Sequence, residues 1–372
     1  MVSIRNSFKN LTFKFQFWIL LFFLLCINLR TVVAQIDRQF WFAIPKETDR
    51  HSDITAANNV SFKIAAMDLD AKVTISMPNN PSFTPRVFTV PAGKSHIEVL
   101  ATNYSQFESL YANPSLVDDD PVEGITNRGI LIESDKDITI YYDYDNENNR
   151  QLFSLKGKNA LGTDFYTPFQ NIWQNDSIHG GKQWNAYSTI DIVATEDDTW
   201  VWVIPKGKLK GRATLDSFEI YLPKRGDTYS LVAAYRTPAA HMSGTHIYVN
   251  QTKGSKKPIA VTVNDDSVNV QGQGCADIIG DQIVPTSILG MKYLVMCGFE
   301  AVDFNSAAIQ EPRRGEQIFV IATQPGTIVT YQDTTGAILR TSPTLAAGGV
   351  DYISPNPKFV SSQNAIFVNA NK

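Results

Sequence analysis

Two kinds of residue in this chain, carboxylates and aromatics, cluster at spacings that could support chemistry. Carboxylates gather at expected turns: Asp118-Asp119-Asp120, Asp143-Tyr144-Asp145-Asn146-Glu147, Glu196-Asp197-Asp198 and Asp265-Asp266. Oxygen-rich loops of this kind hold calcium, which takes six to eight hard ligands. Asp143, Asp145 and Glu147 would supply part of such a site, though not the spacing of a twelve-residue calcium loop, and they are the candidate metal ligands. The competing reading is solvated turns that keep strand edges from pairing with other chains. Paired across a cleft, the same groups would serve a glycosidase. Aromatics concentrate at Trp184, Tyr187, Trp200 and Trp202, and again at Tyr141, Tyr142 and Tyr144. Side chains two apart on a strand share a face, so Trp200 and Trp202 point the same way. Exposed rings stack on sugars or anchor a protein partner. Trp200, Trp202, Tyr142 and Tyr144 are therefore the candidate ligand contacts, weighed against ordinary packing between sheets.

Nucleophilic and metal-assisted catalysis find little support. Of the five histidines, His241 and His246 are close together, but no H-E-x-x-H pair exists. Neither a G-x-S-x-G elbow nor a phosphate-cradling glycine loop is present. Gly93-Lys94-Ser95-His96 sets a serine beside a histidine, at a position that reads as a hairpin turn. No catalytic residue and no required cofactor is expected, with calcium as the one cofactor the residues allow.

Strands must position these groups. Val, Ile, Tyr, Phe and Thr alternate with polar residues in Ser61–Met67, Ile138–Tyr144, Thr189–Thr195 and Gln317–Thr323. After Gln35 no helical period is sustained, so the class is all-β. The strands recur. Ala66, Ala194 and Ala322 are spaced 128 residues apart, as are Val73, Val201 and Val329. A second hairpin repeats around Gly93, Gly226 and Gly349, and a third appears at 129–142, 245–263 and 359–369. The expected organisation is three tandem repeats of about 125 residues, near 37–160, 161–288 and 289–372, closing into one body. The third is shorter, and its closing hairpin is expected to complete it. Two architectures fit: β-sandwich-like units with pseudo-threefold symmetry, or a six-bladed β-propeller.

The opening segment reads differently. Arg5, Lys9 and Lys14 precede the apolar run Phe17–Ile27, which ends at Thr31-Val32-Val33-Ala34. That is the pattern of a secretory signal peptide, residues 1–34. The run is shorter than the ~20 residues that span a bilayer, so no transmembrane anchor is expected after cleavage. The mature region, 35–372, then keeps Cys275 and Cys297, which an oxidising compartment would allow to pair. Lys plus Arg total 33 and Asp plus Glu 37, giving a net charge of -4, which argues against a nucleic-acid partner.

Asp277-Ile278-Ile279-Gly280-Asp281-Gln282-Ile283-Val284-Pro285, followed by Leu289-Gly290-Met291-Lys292-Tyr293, resembles a signature of the IgGFc-binding protein N-terminal domain family. The hairpins at 194–205 and 226–231, Lys257–Val261, Phe40–Ala43 and Ala160–Tyr166 are similar to the same family. The resemblance covers about 37–369. It implies an extracellular binding or adhesion module, of a kind found in animal mucus proteins and in secreted or surface proteins of bacteria. The chain departs from the pattern in Leu289, where tryptophan is frequent. Asp281, Gln282 and Pro285 read as holding the crossover between repeats. The expected function is non-enzymatic recognition of a glycoprotein or surface glycan by a secreted or cell-surface protein. The alternatives are a secreted carbohydrate-active hydrolase using paired carboxylates, and a passive structural component of a surface assembly.

Overall fold

Alternation at period two builds many of the elements, because successive side chains on a strand face opposite sides, although the strand Ser188–Ala194 is buried on both sides along its whole length. In β-strand Thr199–Ile204, for example, Val201 and Val203 are fully buried while Trp200 and Trp202 are not. The computed structural model describes residues 35–45, 59–101, 124–145, 151–175, 178–179, 182–183, 186–253, 256–269, 276–296, 317–353 and 365–372 of the unit Gln35–Lys372. The signal segment 1–34, Glu147, Cys275 and Cys297 lie outside the described residues.

The first group of strands is β1 (Asp37–Phe42), β2 (Asn59–Ala66), β3 (Ala71–Ser76), β4 (Arg86–Val90), β5 (Ser95–Ala101), β6 (Ile125–Thr126), β7 (Ile130–Asp145) and β8 (Gln151–Ser154). The start of β7 pairs with β1 and β3, giving the order β4-β3-β7-β1. Its second half pairs with β2 and β8, giving β5-β2-β7-β8. One strand thus joins the two halves of a single seven-stranded sheet, whose inner faces enclose a core that includes Phe40, Phe42, Phe62, Ile64, Ile132 and Tyr142.

The second group contains β9 (Asp164–Tyr166), β10 (Gln174–Asn175), β11 (Ile178–His179), β12 (Lys182–Gln183), β13 (Ser188–Ala194), β14 (Thr199–Ile204), β15 (Phe218–Leu222), β16 (Thr228–Val232), β17 (His246–Val249), β18 (Ile259–Asn269) and β19 (Ala276–Gln282). Its sheets run β15-β14-β17-β9 and β16-β13-β18-β19, around a core built on Phe165, Ile192, Val201 and Val261. The third comprises β20 (Lys292–Met296), β21 (Ile318–Ile321), β22 (Val329–Gln332), β23 (Ile338–Thr341), β24 (Val350–Ile353) and β25 (Ala365–Ala370). Here the sheets are β23-β22-β25-β20 and the two-stranded β21-β24.

Two facing antiparallel sheets around one core are a sandwich. The strand orders are not the sequential meander of a propeller blade, so the propeller alternative does not describe this pairing. Equivalent registers also correct the reading of the last hairpin. Val73 faces Ser134, Val201 faces Val249 and Val329 faces Ala370, so β25 matches the start of β7 and β17. Among the described residues, no strand in the third sandwich takes the place of 138–145 or of β18.

Adjacent sandwiches meet through unlike faces. Trp41, Ala43 and Leu131, on the outer side of the first, pack on Val193 and Ala260 of the second. The crossover expected from Asp281, Gln282 and Pro285 sits beside this contact. Gln282 is buried; its Nε2 donates to the Trp41 carbonyl at 2.7 Å and its Oε1 accepts from the Lys156 amide at 2.9 Å. Asp281 Oδ1 accepts from Lys156 Nζ at 2.5 Å. Glycines allow the closest approaches between sandwiches. Gly244 adopts φ +80°, and a Cβ there would lie 2.1 Å from the Gly348 carbonyl oxygen. Gly336 has φ +88° but faces open space. Gly244→Ala is therefore expected to cost about 1–3 kcal/mol more than Gly336→Ala, because overpacking adds to the shared left-handed strain. Chemical denaturation of the two variants measures the difference, and equal losses would contradict the close contact.

Candidate ligand-binding face

Trp200 and Trp202 emerge on the outer side of the sheet β15-β14-β17-β9, where cross-strand register gives them aromatic and polar neighbours. Trp200 lies opposite Tyr221, and Trp202 lies between Glu219 on β15 and Tyr248 on β17. The Trp200 and Tyr221 rings stack with centroids 4.3 Å apart and 24° between planes. Lys253 Nζ sits 4.0 Å from the centre of the Trp200 ring, a cation–π contact. Further along the same face, His246 stacks on Tyr166 at 4.2 Å and 4°, and lies 4.8 Å from Tyr248. The result is a run of six aromatic rings from Tyr221 to Tyr166.

Polar groups border these rings and are held in place. Glu219 accepts from Asn250 Nδ2 at 2.6 Å and from Lys253 Nζ. Desolvation opposes its ionisation, yet those two hydrogen bonds and the Lys253 charge outweigh it and keep Glu219 below the ordinary carboxylate range. The Tyr221 hydroxyl donates to Asp198 at 2.6 Å, and this bond, with burial and the nearby Asp198 and Asp197 charges, raises its pKa. Burial first, then the Asp164 charge, pushes Tyr248 and Tyr166 up as well. Asn250 Oδ1 accepts from the Thr252 hydroxyl at 2.7 Å, which orders the short turn after β17. Between Trp202, Tyr248 and Asn250–Thr252 lies an open depression of about 420 Å³, within the size range of small-ligand sites.

The fold does not demand tryptophan here. The equivalent outward positions on β3 are Lys72 and Thr74, and the third copy has Ile328 and Thr330. Sequence spacing found the two tryptophans. It missed Tyr221, Tyr248, Glu219, Asn250 and Lys253, whose common signal is an outward position on neighbouring strands or the turn that follows.

The other candidates lie elsewhere. Tyr142 and Tyr144 are fully buried, so they do not present rings to a ligand. Tyr142 packs 5.0 Å from both Phe42 and Phe153. Asp143 is paired with Lys63 at 3.1 Å and accepts from the Ser61 hydroxyl at 3.1 Å, which satisfies its charge without a metal. Asp145 ends β7, and Glu147 lies outside the described residues. Among the described residues, no group of three His, Cys, Asp or Glu is placed to hold a metal ion. Ser95 lies within β5, and Gly93 takes the positive φ of the expected turn at +64°.

His241 and His246 have different roles. His246 Nε2 contacts Asp164 at 3.0 Å on the outer face. His241 is buried in a polar cluster centred on Asp265, itself 2% exposed. Asp265 accepts from Asn175 Nδ2 at 2.7 Å, Ser188 Oγ at 2.8 Å and Gln170 Nε2 at 2.8 Å, with His241 Nδ1 at 3.4 Å. The His241 ring also meets the Gln170 carbonyl at 2.7 Å and Asn175 Oδ1 at 3.0 Å. Serine and histidine both address the carboxylate here. A nucleophilic triad needs histidine between the other two, so this cluster is structural.

A family model described as IgGFc binding protein matches residues 153–371. No curated protein sequence matches the chain. Among solved structures, a "Biofilm associated protein - BSP domain" is similar at 10% identity with a TM-score of 0.19, over 93% of this chain and 66% of that one. This chain therefore spans slightly under two thirds of that structure's length. A tetra-tandem repeat in the extending region of a large adhesion protein is similar at 13% identity with a TM-score of 0.11, over 87% and 72%.

Proposed function

The chain belongs to the IgGFc-binding protein family, and from that membership we propose an extracellular, non-enzymatic adhesion protein that recognises the sugar-bearing surface of a glycoprotein. One observation carries the choice of site. The outward Trp200, Trp202, Tyr221 and Tyr248 rings, edged by Glu219, Asn250 and Lys253, occur on one sandwich only, where the equivalent positions elsewhere are aliphatic or polar. Flat rings stack on the apolar faces of sugars, while fixed amides and charges bond their hydroxyls. Export through the signal segment 1–34, with a Cys275–Cys297 disulfide, belongs to the same proposal. No helix among the described residues is long and apolar enough to cross a membrane.

Hydrolysis is the second reading, and the state of Glu219 weighs against it on this face. A glycosidase acid needs a raised pKa so that it carries a proton near neutral pH. Glu219 is held low by Lys253 and Asn250.

The test is binding to a glycoprotein panel that includes an immunoglobulin Fc fragment, each member offered native and enzymatically deglycosylated. Trp202→Ala should weaken binding at least about tenfold, the scale of one lost aromatic anchor. Thr74→Ala, at the equivalent position of the first sandwich, should leave it unchanged. Equal binding to deglycosylated ligands would sink the sugar reading, and release of sugar would move the assignment to a hydrolase.

A further inference from the structure

The segment that leaves β14 concentrates positive charge in a chain whose net charge is -4. Residues 205–212 read Pro-Lys-Gly-Lys-Leu-Lys-Gly-Arg, and no Asp or Glu lies between Asp198 and Asp216. The middle of the segment is fixed against the end of β16. The Ala234 amide donates to the Lys208 carbonyl at 2.7 Å, and the Lys210 amide donates to the Val232 carbonyl at 2.8 Å. Alternation then sorts the side chains. Pro205, Gly207 and Leu209 are buried, Lys206 and Lys208 are exposed, and Lys210 and Arg212 are half-buried. Gly207 is confined on its inner side, where a Cβ would lie 2.6 Å from the Ala240 carbonyl oxygen. Its neighbours Lys206 and Lys208 take the opposite, outer side.

Rings hold several of these cations in place. Lys208 Nζ lies 5.7 Å from the centre of the Tyr235 ring, which is 53% exposed. The Arg212 guanidinium sits 3.2 Å from the centre of the Phe218 ring, and its Nη2 donates to the Tyr229 hydroxyl at 3.3 Å. Lys210 and Arg236 approach the Tyr187 ring at 4.7 and 5.0 Å. An aromatic ring orients a cation through its quadrupole but carries no net charge to cancel it. Alternate residues of an extended chain are roughly 6–7 Å apart, so Lys206 and Lys208 present two charges at a short interval along one edge.

We propose that Lys206, Lys208 and Arg212, with the exposed ring of Tyr235, bind an acidic polysaccharide, a linear chain of sugars carrying sulfate or carboxylate groups. A cationic row along one edge matches a polymer that repeats its charges along one line, and such complementarity sets specificity and encounter. The Arg212 fork suits the paired oxygens of a sulfate or carboxylate. The lysines supply point charges, and the Tyr235 face packs on a sugar ring. Nucleic acid is the competing polyanion. Its bases need open rings to stack on, whereas Phe218 and Tyr187 each already carry a cation on the ring. This row is separate from the Trp202 depression and does not rest on it.

The whole chain should be titrated with labelled dextran sulfate, carboxymethyl dextran, unmodified dextran and a single-stranded oligonucleotide. Saturable binding of one or both acidic dextrans is expected, with none of the neutral polymer. Raising the salt from about 0.05 to about 0.5 M should weaken that binding at least about tenfold, because contacts between exposed charges are screened. The double variant Lys206→Ala/Lys208→Ala should lose at least about tenfold while its unfolding transition persists. Lys72→Ala/Lys94→Ala removes two exposed lysines of the first sandwich and should bind as the parent does, as should Trp202→Ala. Absence of binding to either acidic dextran would overturn the proposal. So would parent-like binding by Lys206→Ala/Lys208→Ala, or an equal loss in Lys72→Ala/Lys94→Ala. Loss in Trp202→Ala alone would place the polymer on the aromatic face and overturn this site. Tighter binding of the oligonucleotide than of either acidic dextran would assign the row to nucleic acid and overturn the polysaccharide.

Discussion

Replacing Asp265 by alanine should lower the unfolding free energy by about 3–5 kcal/mol, the cost of removing one member of a buried charged cluster. Its carboxylate gathers Asn175, Ser188, Gln170 and His241, four side chains from separate parts of the second sandwich. Without it, the Ser188 hydroxyl and the Asn175 amide lose their acceptor in a site that water does not reach. Each buried donor left unmade adds its own desolvation penalty. Asp265→Asn keeps the shape and one carbonyl oxygen, so its loss should be smaller. Urea denaturation of both variants checks the order. A cost below about 1 kcal/mol for the alanine variant would show that the cluster is dispensable.

Tyr142→Ala is the second large effect expected, again about 3–5 kcal/mol, as for other large aromatics removed from a core. The ring is enclosed by Phe42 and Phe153 at 5.0 Å and by Phe62 at 6.2 Å. Tyr141, the preceding residue, points the other way and is 41% exposed. Tyr141→Ala should therefore stay within about 0.5 kcal/mol of the parent. The pair separates a core role from a ligand role at neighbouring positions. Binding lost at Tyr142 with stability intact would reinstate it as a contact residue.

These residues show how far the sequence could be read. Ile138, Ile140, Tyr142 and Tyr144 alternate without interruption, and that period already places both tyrosines on the buried face with the isoleucines. Reading their aromatic chemistry ahead of their period produced the wrong assignment. The period worked for Trp200 and Trp202, because Val201 and Val203 claim the inner side. Their neighbours Glu219, Tyr221 and Tyr248 depend on which residues face each other across strands, and register is a property of the folded sheet. The same limit hid the Asp265 cluster, whose members are far apart in sequence. All-β class follows directly from composition and alternation. The last hairpin was misread because the short segment 359–369 carries apolar residues at both ends, and only the pairing of Val329 with Ala370 shows which strand it supplies.

The sixteen-residue strand β7, shared by both halves of the first sheet, has a mechanical consequence. A pull along it loads the rungs to β1 and β3 and the rungs to β2 and β8 together, in shear, so tension divides among many bonds. The second sandwich makes the same passage in two pieces, β17 and β18, joined by the residues between Val249 and Ile259. There force passes between the sheets through that connection, whose first residues are tied to β15 by the bonds of Asn250 and Lys253 to Glu219. Under load the first sandwich carries force along one continuous strand, while the second hands it from β17 to β18 across a connection.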